Sequence, residues 1–435
     1  MHLGRTIGAL GLLFAIAACS SDDEQADEGA LGVEQELSED VAGAPVDAFA
    51  EPAAVDSTCT ATVAPARELM IRQLGVVEDP IRTSKGGAWT FGTLMTAMAG
   101  PNDPQTFVRN WLSRWETDRT VNSFTVTARP SIKSQVIDPW PKDASGKLDL
   151  GRAPLRLLAI VNRMDLRDLS KGDAGEGRFV FGVTDSSGNP LSFTVILEYK
   201  LPASTTSDVQ AWANAWHGLG VLTPGTAAYN DALQAITDKF AGRGAAPNKP
   251  NGSSIGQVRT NEIALSSPWQ LREFRLNANG QLVQSTVRQT PDDQFETTAK
   301  TARFINANEA AILAGRHIVP LSFESAPYRG GDAPTNFGTI WNPPGVTNTD
   351  ARHLFSVNTC NGCHGGETQT GFLHVAPRAK GQIASLSGFL TGETITDPVD
   401  GKQRKFADLA RRKADLQNVL CSPTAAAAPA SARVH

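Results

Sequence analysis

Cys360-Asn361-Gly362-Cys363-His364 sets two thiols three positions apart, with an imidazole directly after the second. On one helical turn both thiols can add to the vinyl groups of a haem, and the residue that follows then presents its ring nitrogen to the iron. The spacing C-x-x-C-H is the pattern of c-type haem attachment, so one covalent haem c is the expected cofactor, with Cys360, Cys363 and His364 at its centre. Two other readings of the same residues stay open. Cys360 and Cys363 can close a local disulfide. They can also share a zinc ion with His364, though thiolates are poorly kept outside a cell and adjacent residues do not readily meet on one tetrahedral ion.

The elements around the motif must hold it in place. Residues Ala351 to Val357, with Leu354 and Phe355, suit a short helix leading into it, and Phe406, Leu409, Leu416 and Leu420 fall along a helix over about 404–420. A helix, the attachment motif and a closing helix within one short stretch resemble the single-haem cytochrome c domain, over roughly residues 346–421. The resemblance implies thioether bonds at Cys360 and Cys363 and His364 as the proximal ligand. It also implies a methionine ligand downstream, and here the chain departs from the pattern. All five methionines (Met1, Met70, Met95, Met98, Met164) precede the motif. His374 is the histidine that follows it before the terminal His435, and it is the leading candidate for the second axial position. An open position, His353 and an upstream methionine are the alternatives.

Three cysteines remain. Arg5, the apolar stretch Ile7 to Ile16 and the exit Ile16-Ala17-Ala18-Cys19 form an export signal over residues 1–19. Its last four residues resemble the lipobox of bacterial lipoproteins, which implies a diacylated Cys19 and a membrane reached through that lipid anchor. Ser20 stands where some lipoproteins carry an inner-membrane retention aspartate, which favours an outer-membrane address. Residues 20–57 hold twelve Asp or Glu and no Lys or Arg, a composition that cannot bury enough apolar surface to offset its ordering entropy. They form an acidic disordered tether. Removing it with the leader leaves about +6 on residues 58–435, against a net −5 for the whole chain. Cys59 and Cys421 then sit at the two ends of the body, where a disulfide can persist in an exported protein.

The body between them, residues 58–345, reads as α+β: mixed helices and antiparallel sheet. Asp103-Pro104 opens a helix whose Val108, Trp111, Leu112 and Trp115 share one face. Leu155 to Val161 suits a buried strand, and Arg178 to Val183 and Leu191 to Tyr199 flank a turn cluster as a hairpin. Helices are expected at about 207–217 and 227–240, and a second β stretch from Gln257 to Arg288 with breaks at Ser266-Ser267-Pro268 and Asn277 to Gly280. Trp212, Trp216 and His217 share a helix, where tryptophans at helical spacing are core residues. No zinc-protease, Walker A, nucleophile-elbow or dinucleotide signature occurs here, so the body's own role stays open. Asn342-Pro343-Pro344-Gly345 marks the expected boundary to the mainly helical haem domain, and residues 422–435 form an Ala/Pro tail.

The apolar run of the leader is too short to span a bilayer, which excludes a multispan membrane protein. The expected function is electron transfer by an envelope-anchored haem lipoprotein. Against it stand a haem oxidoreductase or peroxidase with an open distal site, and a non-catalytic surface binding protein stapled at Cys360 and Cys363. The basic residues Arg404, Lys405, Arg411, Arg412 and Lys413 suit either an acidic redox partner or a solvated helix face. No nucleic-acid partner is expected.

Overall fold

Successive residues of a strand serve opposite sides of its sheet, and that period of two fixes which side each residue of the body's strands faces. The computed structural model describes residues 59–338 and 340–427. The leader with Cys19, the tether over 20–57 and positions 428–435 of the tail lie outside the described residues. Among the described residues an eight-stranded antiparallel sheet forms from β1 (Met70–Ile71), β2 (Leu155–Arg163), β3 (Asp173–Thr184), β4 (Pro190–Pro202), β5 (Ile255–Glu262), β6 (Trp269–Leu276), β7 (Leu282–Ser285) and β8 (Ala333–Thr335). The order is β1-β2-β3-β4-β5-β6-β8, with β7 also paired to β6. Asp185 closes the β3–β4 hairpin by accepting from the backbone N–H groups of Ser187 and Asn189, both at 2.8 Å.

Phe179, Phe181 and Val183 of β3 and Phe193, Val195, Leu197 and Tyr199 of β4 point into one large core. Helices cover that face. They are α1 (Phe91–Ala99), α2 (Pro104–Leu112), α3 (Thr206–His217) and α4 (Ala227–Ala241). Asp103 caps α2 through the Thr106 N–H at 3.0 Å, with Pro104 at the first helical position, and Phe107, Val108, Trp111 and Leu112 are buried. The buried Trp216 joins the same core as expected, whereas His217 turns to Glu68, Nδ1 to Oε2 2.9 Å.

The opposite face of the sheet is also covered, and by the last part of the chain. Here α5 (Ala299–Ala307), α6 (Thr349–Asn358), the single turn α7 (Cys360–Cys363), the hairpin β9 (Glu393–Thr396) with β10 (Gln403–Phe406), and α8 (Asp408–Cys421) follow one another. Val357, Cys363, Val375, Phe389, Leu390 and Phe406 share one apolar cluster with Met70, Leu158, Val161 and Val180 of the sheet. Leu416 and Val419 of α8 reach the helix-side core. All described residues fall within one compact unit. The fold is therefore mixed α+β around a large antiparallel sheet, and residues 346–421 are not set off as a distinct small domain. Pro343-Pro344-Gly345 makes a turn inside that unit. The last helix starts at Asp408, later than its apolar spacing suggests, because Gln403 to Phe406 pair with Glu393 to Thr396 instead.

Cys59 and Cys421 are joined by a disulfide, with their Cα atoms 5.5 Å apart. No helix among the described residues is long and apolar enough to cross a membrane.

Candidate cofactor site

The motif sits on α7, directly after α6. Thr359 caps the turn by accepting from the Gly362 N–H at 3.1 Å, and the His364 N–H continues it by donating to the Cys360 carbonyl at 2.9 Å. Position 362 admits no side chain, because a Cβ there would collide with the Ser356 carbonyl oxygen. Two anchors hold the turn from outside: the Cys360 N–H donates to Thr290 Oγ1 at 2.9 Å, and Trp341 Nε1 donates to Asn361 Oδ1 at 2.8 Å.

Both thiols are fully buried and unbridged. Cys360 packs with Trp269, Leu271, Val287 and Ala333, and Cys363 with the Met70, Val161 and Phe389 group. Burial pushes the Cys360 thiol up to about 11 and Cys363 well above its ordinary range, so both are protonated at neutral pH. A zinc site or a nucleophilic cysteine needs the thiolate, and these surroundings oppose it.

The structure brings His364 and His374 together, ring centroids 4.2 Å apart. His364 Nδ1 donates to the Phe372 carbonyl at 2.7 Å, and its ring stacks on buried Trp269 at 4.8 Å. Phe372 holds that carbonyl in place from a left-handed backbone, φ 67°, a conformation a bulky residue keeps only when its surroundings impose it. Its ring also lies parallel to Trp269. His374 shares a hydrogen bond with Ser387 Oγ at 2.9 Å through Nδ1, and its Nε2 lies 3.3 Å from Cys363 Sγ. With Nδ1 tied in this way, Nε2 is the nitrogen each ring would offer to a metal, and that of His374 stands against Cys363 Sγ. Desolvation lowers His364 to about 4 and His374 well below its usual value, so both rings are neutral.

Both histidines border a cavity of about 80 Å³ between the sheet and the covering segment. Met70, Val161, Val180 and Leu271 supply part of its apolar wall, and Arg163, Arg178, Arg259 and Arg412 much of its charge. Of the upstream methionines, Met70 therefore reaches the site, whereas Met95, Met98 and Met164 lie in the helix-side core. His353 does not reach it. Its Nδ1 bonds Glu367, and Glu367 and Asp397 also bind Arg352, at 2.8 and 2.9 Å and at 2.7 Å. His353, Glu367 and Asp397 stand close enough to hold a metal ion. Arg352, together with Arg404 at 3.1 Å from Asp397, already neutralises those carboxylates.

Two protonated thiols one turn apart, a neutral imidazole after them and a second facing it are the donor types a covalent haem needs, but of these only His364 and His374 line the cavity. The space fits only after movement. An iron bound by both rings, with about 2 Å to each nitrogen, separates those nitrogens by about 4 Å and the centroids by more. Pockets for bulky ligands also run to about 300–1,000 Å³. The stretch 371–390 that covers the cavity is largely without helix or strand.

Sequence reasoning missed the charges behind the cavity. Arg178 pairs with Glu176 at 2.6 Å and Glu198 at 3.3 Å, and Arg259 with Glu273 at 2.9 Å, all buried on the covered face. The basic run does not make one exposed face either. Arg404 pairs with Asp350 and Asp397, Arg411 with Asp165 and Asp408, and Arg412 is buried. No protein-family model, curated protein or solved structure matches the chain.

Proposed function

We propose that the chain carries one haem c through Cys360 and Cys363, with His364 as proximal ligand, and serves as an electron-transfer lipoprotein of the cell envelope. One observation carries this reading. His364 follows directly on the capped turn that carries both thiols, and it borders a cavity that a second neutral imidazole, His374, also borders. The haem, when bound, supplies a one-electron couple. The chain's own residues do the rest. Thr359, Thr290 and Trp341 fix the turn, Phe372 sets the His364 tautomer, and the sheet face with Trp269 and Phe389 excludes water. His374 is the distal candidate because Ser387 orients it, and Met70 is the thioether closest to replacing it.

The test is protein made with haem-maturation machinery. Denatured protein should retain its haem stain, and Cys360→Ser or Cys363→Ser should weaken attachment. Loss of all haem on acid-acetone extraction would sink the reading. His374→Ala should keep the haem and turn a six-coordinate low-spin spectrum into one that binds carbon monoxide. If that spectrum is unchanged, Met70 becomes the ligand to examine. A high-spin wild type would favour the oxidoreductase instead. The anchor is tested separately: Cys19→Ala should abolish lipid labelling and release the protein from membranes.

A further inference from the structure

A cleft of about 430 Å³ opens where β2 begins and β3 ends, apart from the cavity that His364 and His374 border. Trp89, Phe91, Leu157 and Phe181 make its buried apolar floor, with the Phe91 and Phe181 rings edge to face at 5.7 Å. Two cations also line it: Arg156 of β2, and the exposed Lys380 of the covering stretch.

Neither cation pairs with a carboxylate among the described residues. Half-buried Arg156 donates instead to two neutral oxygens, the Arg378 carbonyl at 2.6 Å and the Gly188 carbonyl at 3.1 Å. Glu78, the acid that lines the cleft, is taken by the Arg378 guanidinium and by the Gly381 N–H at 2.9 Å. Asp149, next to the cleft, has Lys85 at 3.3 Å and Arg152 at 2.7 Å. Two positive charges thus stand over an apolar floor without an acid of their own. Burial and the nearby Arg378 charge both disfavour the Arg156 cation, and an anion entering the cleft relieves that cost. Sites for organic ligands have this make-up, mostly apolar with a few placed polar groups, and a volume of about 300–1,000 Å³.

We propose that this cleft binds a small aromatic carboxylate, with its acid group between Arg156 and Lys380 and its ring against Phe91 and Phe181. An inorganic anion meets only the cations, and a neutral aromatic only the floor. The carboxylate joins β2, through Arg156, to the covering stretch, through Lys380. It therefore fastens the same stretch that Arg378 and Gly381 already tie to Glu78.

The experiment is calorimetric titration of the full chain with naphthoate, with its neutral amide, and with inorganic phosphate. Naphthoate should bind at one site, and the amide and phosphate about tenfold more weakly or not at all. Arg156→Gln should weaken naphthoate about tenfold, the scale of one hydrogen bond to a charged group, and Lys380→Gln severalfold. The double variant should bind naphthoate no better than the amide. Amide hydrogen exchange on naphthoate binding should slow in 150–157 and 376–384. No binding of naphthoate overturns the site, equal affinity for the amide overturns the role of the cations, and equal affinity for phosphate overturns the aromatic part. Protection confined to other segments places the ligand elsewhere and overturns the assignment. Should Arg156→Gln not fold, Lys380→Gln decides, since that side chain is exposed, and an unchanged affinity there overturns the bridge to the covering stretch.

Discussion

His317 keeps both ring nitrogens unpartnered in the core, 2 % exposed beside Phe355. Burial lowers it to about 4, against 6.5 in an open chain, so the fold holds it neutral. Above pH 6.5 folded and unfolded chains agree in charge, and it adds no pH dependence. As pH falls towards 4 the unfolded chain accepts a proton that the fold refuses, and stability drops by about 3 kcal/mol from this residue. Urea midpoints at pH 7 and pH 4 should show that loss shrinking by about that amount in His317→Leu, and equal losses would refute it. The same scale shows what a sequence discloses. Cys360, Cys363 and His364 stood out as a C-x-x-C-H pattern, and the structure places them on one capped turn. Arg412 did not, since a basic residue in a basic run looks solvated until something is found packed over it.

Apolar runs bounded by turn chemistry made β2 to β4 readable, and the Asp103-Pro104 cap did the same for α2. The packing between elements was less legible. Gly177 on β3 lies directly under the Phe240 ring of α4, where a Cβ would collide with the ring. Phe240 in turn sits among Phe179, Tyr199, Trp212 and Trp216. Gly177→Ala should therefore cost about 1–3 kcal/mol by overpacking, and Phe240→Leu in the same chain should recover part of it. Chemical denaturation of the two singles and the double checks this, and strictly additive costs would show that the ring is not the obstacle. Alternation also misleads in one respect. Arg178, Glu198, Arg259 and Glu273 occupy the positions that a one-sided sheet gives to water, so nothing in β3 to β6 announces a second cover.

That second cover decides how the molecule divides. A chain ending at residue 345 would leave Met70, Val161, Val180 and the buried ion pairs of the sheet exposed, so residues 59–345 alone should bind a hydrophobic dye and elute as aggregates. A monomeric fragment with a cooperative unfolding transition would show that the sheet needs no cover. Proline and glycine at 343–345 looked like a boundary because turn chemistry is the same inside a domain as between domains. The Cys59–Cys421 bridge spans 362 positions, and the helix that carries Cys421 also sends Leu416 and Val419 into the core first built by Val63, Leu69 and Ile71. The earliest and latest parts of the fold are thus one structural element in space. In a chain made from its amino end, the strands of the sheet precede the helix that seals it. Until α8 is in place the bridge has no second half, so the fold is locked by its last helix rather than by its first strand.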